Sequence, residues 1–126
     1  MESSVRRILI IEDEEDIREI LKEFFEGEGY EVLTAIHGKD AFRVLEETEK
    51  PNIILVDLMM PVMSGEEFIE KKKVHPHFVG IPTIIMSADY RTKAKAQSLN
   101  IKWAISKPLE LTSLISIVDE VFKSNE

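Results

Sequence analysis

With 126 residues the chain is long enough for one domain and short of two. Its 24 acidic side chains against 16 basic ones give a net charge of −8, which disfavours direct contact with nucleic-acid phosphate or anionic lipid. No cysteine is present, so disulfides and thiolate metal sites are excluded, and no apolar run approaches the ~20 residues of a membrane-spanning helix.

In chain order, short apolar runs alternate with amphipathic stretches. Ile8–Ile11 is continuous and rich in β-branched residues, as in a strand buried on both faces, and it ends in acids rather than extending into a signal-peptide core. Ile17, Ile20, Leu21 and Phe24 then mark one face of a helix that Gly27 and Gly29 end. Glu31–Ala35 is a less apolar second strand, nearer an edge. Ala41, Val44 and Leu45 mark a second helix, stopped by Pro51. The third strand is Ile53-Ile54-Leu55-Val56, with Asp57 just past its end.

A loop with Pro61 and Gly65 leads to a third helix, about Glu66–Val74, on which Lys71-Lys72-Lys73 reads as a solvated basic face. Thr83–Met86 is a fourth strand followed by Ser87, and Thr92–Leu99 a weak fourth helix with few apolar anchors. Ile101–Ile105 and Leu111–Phe122 complete the series as strand and helix. His37, His75 and His77 lack the spacing of a metal site and read as ordinary solvated histidines.

Five β-α units imply an α/β fold, a doubly wound parallel sheet with helices on both faces. Right-handed crossovers make the flavodoxin-like strand order 2-1-3-4-5 the natural one, with the second strand at an edge. In such sheets ligands bind beyond the carboxyl ends of the strands. At those ends stand Glu12-Asp13, Asp57, Ser87 and Lys107. Three crowded carboxylates raise one another's pKa unless a cation neutralises them, and hard oxygen ligands suit Mg²⁺.

The acidic pair Glu12-Asp13, Asp57 with Pro61 and Gly65 beyond it, Ser87-Ala88 and Lys107-Pro108 together resemble a response-regulator receiver domain of two-component signalling. The resemblance spans essentially the whole chain, read as a single receiver domain over residues 1–126 with no output domain, either free-standing or excised from a larger protein. It implies that Asp57 accepts a phosphoryl group from a sensor histidine kinase or a histidine phosphotransfer protein. By the same resemblance Asp13 and Asp57 bind Mg²⁺ directly, the Met59 carbonyl completes the protein ligands, and Glu12 acts through a metal-bound water. Ser87, Ala88 and Lys107 receive the phosphoryl oxygens, and the bond before Pro108 is cis.

Signalling would then run through protein contacts in the cytoplasm, with the target unidentified, a homodimer left open, and no enzymatic role beyond self-phosphorylation and dephosphorylation. The last helix has an apolar arc wider than one packed face needs, so Ile115 or Ile117 is expected at a partner surface. Where many receivers carry Tyr or Phe, three residues before the lysine, this chain has Ala104. The signal is therefore expected to pass through residues 88–100, with Trp103 reporting occupancy. Three rivals are a degenerate docking module, a haloacid-dehalogenase-type phosphatase and a flavin-binding carrier. Intact Asp57, Asp13 and Lys107 argue against the first. The second requires a general-acid Asp where Met59 stands, and five successive acids replace the phosphate cradle of the third.

Overall fold

The computed structural model describes residues 5–124. Its elements are β1 (Arg7–Ile11), α1 (Glu15–Gly27), β2 (Glu31–Ala35), α2 (Gly38–Glu47), β3 (Ile53–Asp57), α3 (Gly65–Lys73), β4 (Thr83–Ser87), α4 (Thr92–Ser98), β5 (Trp103–Ser106) and α5 (Leu111–Ser124). The five strands form one parallel sheet in the order β2-β1-β3-β4-β5. The less apolar β2 lies at an edge, where its composition suits it.

Side-chain alternation along the central strands builds two cores, one on each face of the sheet. Ile8, Ile10, Ile53, Leu55, Ile84 and Met86 point toward α1 and α5, where Leu21, Phe25, Leu114 and Val118 meet them. Leu9, Ile11, Ile54, Val56 and Ile85 point the other way, against Ala41, Val44, Phe68 and Ala96 of α2, α3 and α4. Each such side chain contributes ~1.5–3 kcal/mol on full burial, so the three central strands hold the sheet fixed beneath the loops at its carboxyl end.

Five expectations change. In α1 the buried stripe is Leu21 and Phe25, while Ile20 is 56% exposed. Phe25 sits one position further round the helix than the expected Phe24 and packs edge-on against Tyr30, which turns Ile20 outward. In α5, Ile115 and Ile117 are both half-buried against the core on that face, so neither edge of the arc stands free. Lys72, assigned to a solvated face, is buried at 6% exposure, because α3 lays its last turn against the loop before β4. The fifth strand begins at Trp103, since the Ile101 N–H is used to close α4 on the Ala96 carbonyl. The histidines also differ: His37 caps α2 through Nδ1, and His75 is half-buried and stacked on Phe78 at 4.0 Å.

Candidate functional site

The register fixes which side chains can meet. Ile11 pairs with Val56, Asp57 with Met86, and Ser87 with Ser106, so β1, β3, β4 and β5 end side by side. Asp57 and Ser87 are the last residues of their strands rather than the first beyond them. Glu12 and Asp13 follow β1 directly, and Lys107 follows β5. The Lys107 N–H donates to the Ser87 carbonyl at 2.8 Å, tying the two strand ends together, and the Lys107–Pro108 peptide is cis.

At the centre is the Lys107 ammonium. Its Nζ lies 2.9 Å from Asp57 Oδ2, 2.7 Å from Glu12 Oε1 and 3.8 Å from Glu14 Oε1. Glu12 and Asp57 are buried, whereas Asp13 is exposed on the rim. Other oxygens are held by backbone: Glu14 N–H donates to Glu12 Oε2 at 3.1 Å, and Met59 N–H to Asp57 Oδ1 at 3.1 Å. Burial pushes the Glu12 carboxyl up to about 7, against the opposing pull of Lys107. For Lys107 burial favours the neutral amine, but hydrogen bonds to Glu12 and Asp57 outweigh it and leave the pKa raised. One ammonium thus faces a group of carboxylates it cannot fully neutralise.

Oxygen atoms of Glu12, Asp13 and Asp57 all lie within 4.8 Å of one another. Converging hard donors, two from buried residues and one open to solvent, fit a small divalent cation such as Mg²⁺ that keeps part of its water shell. Ser87 is fully buried, and its Oγ accepts from the Asp89 N–H at 3.0 Å, while Ala88 is exposed beside it. Gly65 starts α3 directly under the site. A Cβ there would come within 2.2 Å of the Asp57 carbonyl oxygen and 2.7 Å of Leu58 Cα, so only glycine lets the helix approach this closely.

The model of the response regulator receiver domain family matches residues 8–119. The chain belongs to this family. The transcriptional regulatory protein CrdR of Helicobacter pylori is 30% identical over 122 residues, covering 95% of this chain and 56% of CrdR. The signal receiver domain of a histidine kinase from Syntrophus aciditrophicus superposes with a TM-score of 0.86 at 30% identity, over 95% of this chain and 92% of that one. Response regulator protein TrrA from Thermotoga maritima, solved in complex with Mg(2+)-BeF, gives 0.82 at 26% identity over 93% and 99% of the two chains. The chain spans about half the length, or less, of the first curated relatives it matches.

Receiver domains serve phosphorylation-dependent signalling and are not conventional enzymes; they bind Mg²⁺ at an acidic pocket and interact with histidine kinases or phosphotransfer proteins. In this receiver domain Ala104 is half-buried on the α4 side of β5, and a hollow of about 240 Å³ opens between it and Ala96, Gln97 and Lys93 of α4. Trp103 points to the other face, at the far end of β5 from Lys107. Its indole N–H reaches Glu120 Oε2 at 3.4 Å and its ring lies under Lys102, so it is placed to sense α5 rather than the acidic pocket.

Sequence reasoning missed the Asp89 cluster. The Asp89 carboxylate accepts from Arg91 N–H at 2.8 Å, from Arg91 Nη2 at 3.1 Å and from Lys95 Nζ at 3.0 Å. An Asp followed at two and six residues by Arg and Lys was the available signal, since it pairs a turn-forming carboxylate with the first turn of the next helix. Also missed was Arg18, whose guanidinium donates to the Glu12 carbonyl at 2.9 Å.

Proposed function

We propose that Asp57 is the phosphoacceptor of this receiver domain, charged by a sensor histidine kinase or a histidine phosphotransfer protein. The observation that carries the reading is the Lys107 ammonium held 2.9 Å from Asp57 Oδ2 while the other Asp57 oxygen is bound by the Met59 N–H. That arrangement fixes the carboxylate and leaves a cation ready for an incoming anionic group. A lone pair on an Asp57 carboxylate oxygen attacks phosphorus, the bond from phosphorus to the donor breaks with its electron pair leaving on the donor, and an acyl phosphate forms. Such transfer passes through a loose transition state, so the protein contributes mainly positioning and charge neutralisation.

Asp13 and Asp57 would hold Mg²⁺ with the Met59 carbonyl, and Glu12 would contribute through a bound water; the ion would supply positive charge to the phosphoryl oxygens. Lys107 would exchange its Asp57 contact for a phosphoryl oxygen. Ser87 would turn its hydroxyl from the Asp89 N–H toward another, beside the exposed Ala88. An apolar hollow of about 250 Å³ formed by Ile17, Ile20, Leu21, Pro108 and Leu109 adjoins Lys107 and suits a docking phosphodonor. The half-buried edges Ile115 and Ile117 of α5 remain candidate contacts for a downstream protein or a second copy. Among the described residues no helix is long and apolar enough to cross a membrane, and we place the domain's work in the cytoplasm.

Incubation with acetyl phosphate and Mg²⁺ tests the assignment by intact mass. One phosphoryl adduct is expected, absent with chelator and absent in Asp57→Asn. An Asp57→Asn protein that gains the adduct in equal yield would remove it. A phosphatase is disfavoured because Met59, which has no acid to offer, occupies the position two residues beyond Asp57.

A further inference from the structure

At the end of the sheet away from Asp57, the amino ends of β4 and β5 border a cleft of about 470 Å³. Its walls are the last turn of α3, the loop before β4 and the turn between α4 and β5. Lys72, Lys73 and Lys102 line it, and no Asp or Glu is among the described residues that do.

Lys72 sets this cleft apart from an ordinary basic surface. The residue is 6% exposed, and its ammonium makes one hydrogen bond, to the Val79 carbonyl at 3.3 Å. Among the described residues no carboxylate pairs with it, and burial alone pushes its pKa down to about 8. An ammonium carries three N–H donors, and a charge withdrawn from water is strongly disfavoured unless a counter-charge meets it. The neighbouring charges add to the deficit: Lys73 lies on the same wall, and Lys102 on the opposite wall, its Nζ 5.2 Å from the centre of the Trp103 ring.

We propose that this cleft is an anion site that takes a phosphate group, with Lys72 as its buried counter-charge and Lys73 and Lys102 as its rim. A phosphate dianion matches three ammonium groups better than a single carboxylate does. Lysine binds phosphate as a compact point charge, without the forked geometry arginine would impose. The five residues of β4 separate the cleft from the acidic pocket by about 13 Å, so its ligand is distinct from the phosphoryl group on Asp57. That ligand is either free inorganic phosphate or the phosphate ester of a small molecule.

The test is a proton–nitrogen NMR titration of the full chain at pH 7 with sodium phosphate, with adenosine monophosphate, and with sodium chloride at matched ionic strength. Saturable shifts are expected at the amides of Gly80, Asn100 and Lys102 and at the Trp103 indole N–H, with phosphate and not with chloride. A tighter curve for the nucleotide assigns an ester, and equal curves assign phosphate alone. Lys72→Met, which keeps the side-chain length and suits a buried position, is expected to weaken binding at least tenfold. If that variant does not fold, the double substitution Lys73→Gln with Lys102→Gln carries the same expectation. Shifts that never saturate, that chloride reproduces, or that centre on Asp57 and Lys107 would overturn the site, as would unchanged affinity in the variants.

Discussion

Glu12 has no solvent exposure, yet its two carboxylate oxygens are engaged by Lys107 and by the Glu14 N–H. Burial raises its pKa from 4.5 to about 7 in the metal-free protein. Between those values the folded state holds a proton that the unfolded chain has released. The stability this group provides is therefore complete below about pH 4.5 and lost as pH climbs through 7. At 1.36 kcal/mol per unit the loss is at most about 3 kcal/mol. Urea unfolding without metal should show wild type losing ~1–3 kcal/mol relative to Glu12→Gln between pH 5 and 8, and excess Mg²⁺ should flatten the difference. Parallel curves would mean that Lys107 keeps Glu12 ionised throughout. The strand-end residues Glu12, Asp57, Ser87 and Lys107 were legible in the sequence because strand ends in a parallel sheet are set by apolar runs, which are easy to see. Lys72 was not legible. Its burial depends on how the α3–β4 loop folds back over the last turn of α3, and loop paths leave no periodic trace.

At the scale of elements, α4 is short and thinly anchored. It has seven residues, buries only Thr92 and Ala96 within the helix, and has no side-chain cap at its start. What holds its first turn is the Asp89 carboxylate, drawn well below its usual range by Arg91, then by Lys95. Asp89 in turn gives its N–H to Ser87, so a serine that moves to a phosphoryl oxygen releases the loop that anchors α4. The hollow beside Ala104 gives the helix room to shift, where a large side chain would block it. Beryllofluoride with Mg²⁺ should therefore change hydrogen exchange across residues 88–100. Asp89→Asn should speed exchange there in the resting protein, by severalfold, because local opening of so small an element is cheap. If exchange moved only around residues 12–16 and 57–65, the route through α4 would be wrong. The weakness of α4 was visible in its sequence, which has few apolar residues. The exposed Ile20 was not, because α1 offers two overlapping apolar stripes and only the packing of Phe25 on Tyr30 chooses between them.

For the whole molecule, electrostatics and stability meet at the carboxyl end of the sheet. The chain carries a net charge of −8, and oxygens of Glu12, Asp13 and Asp57 lie within 4.8 Å of one another, with Lys107 against Glu12 and Asp57. In the unfolded chain Asp57 is separated from the adjacent Glu12 and Asp13 and all three are well hydrated, so a divalent cation binds it far more weakly. A ligand that binds only the folded state stabilises it by RT ln(1 + [L]/Kd), or roughly 2.7 kcal/mol at one hundred times Kd. Millimolar Mg²⁺ should raise the melting temperature, and sodium chloride at equal ionic strength should raise it less, because screening acts on the diffuse charge while the cation sits among the carboxylates. Asp13→Asn should abolish most of the Mg²⁺ increment. It should leave the metal-free melting temperature nearly unchanged, since Asp13 is exposed and its loss removes repulsion rather than packing. A melting temperature indifferent to Mg²⁺, in a protein whose titration shows tight binding, would mean that the cation binds the unfolded chain as well. The acidic pocket would then be no more than a patch of surface charge.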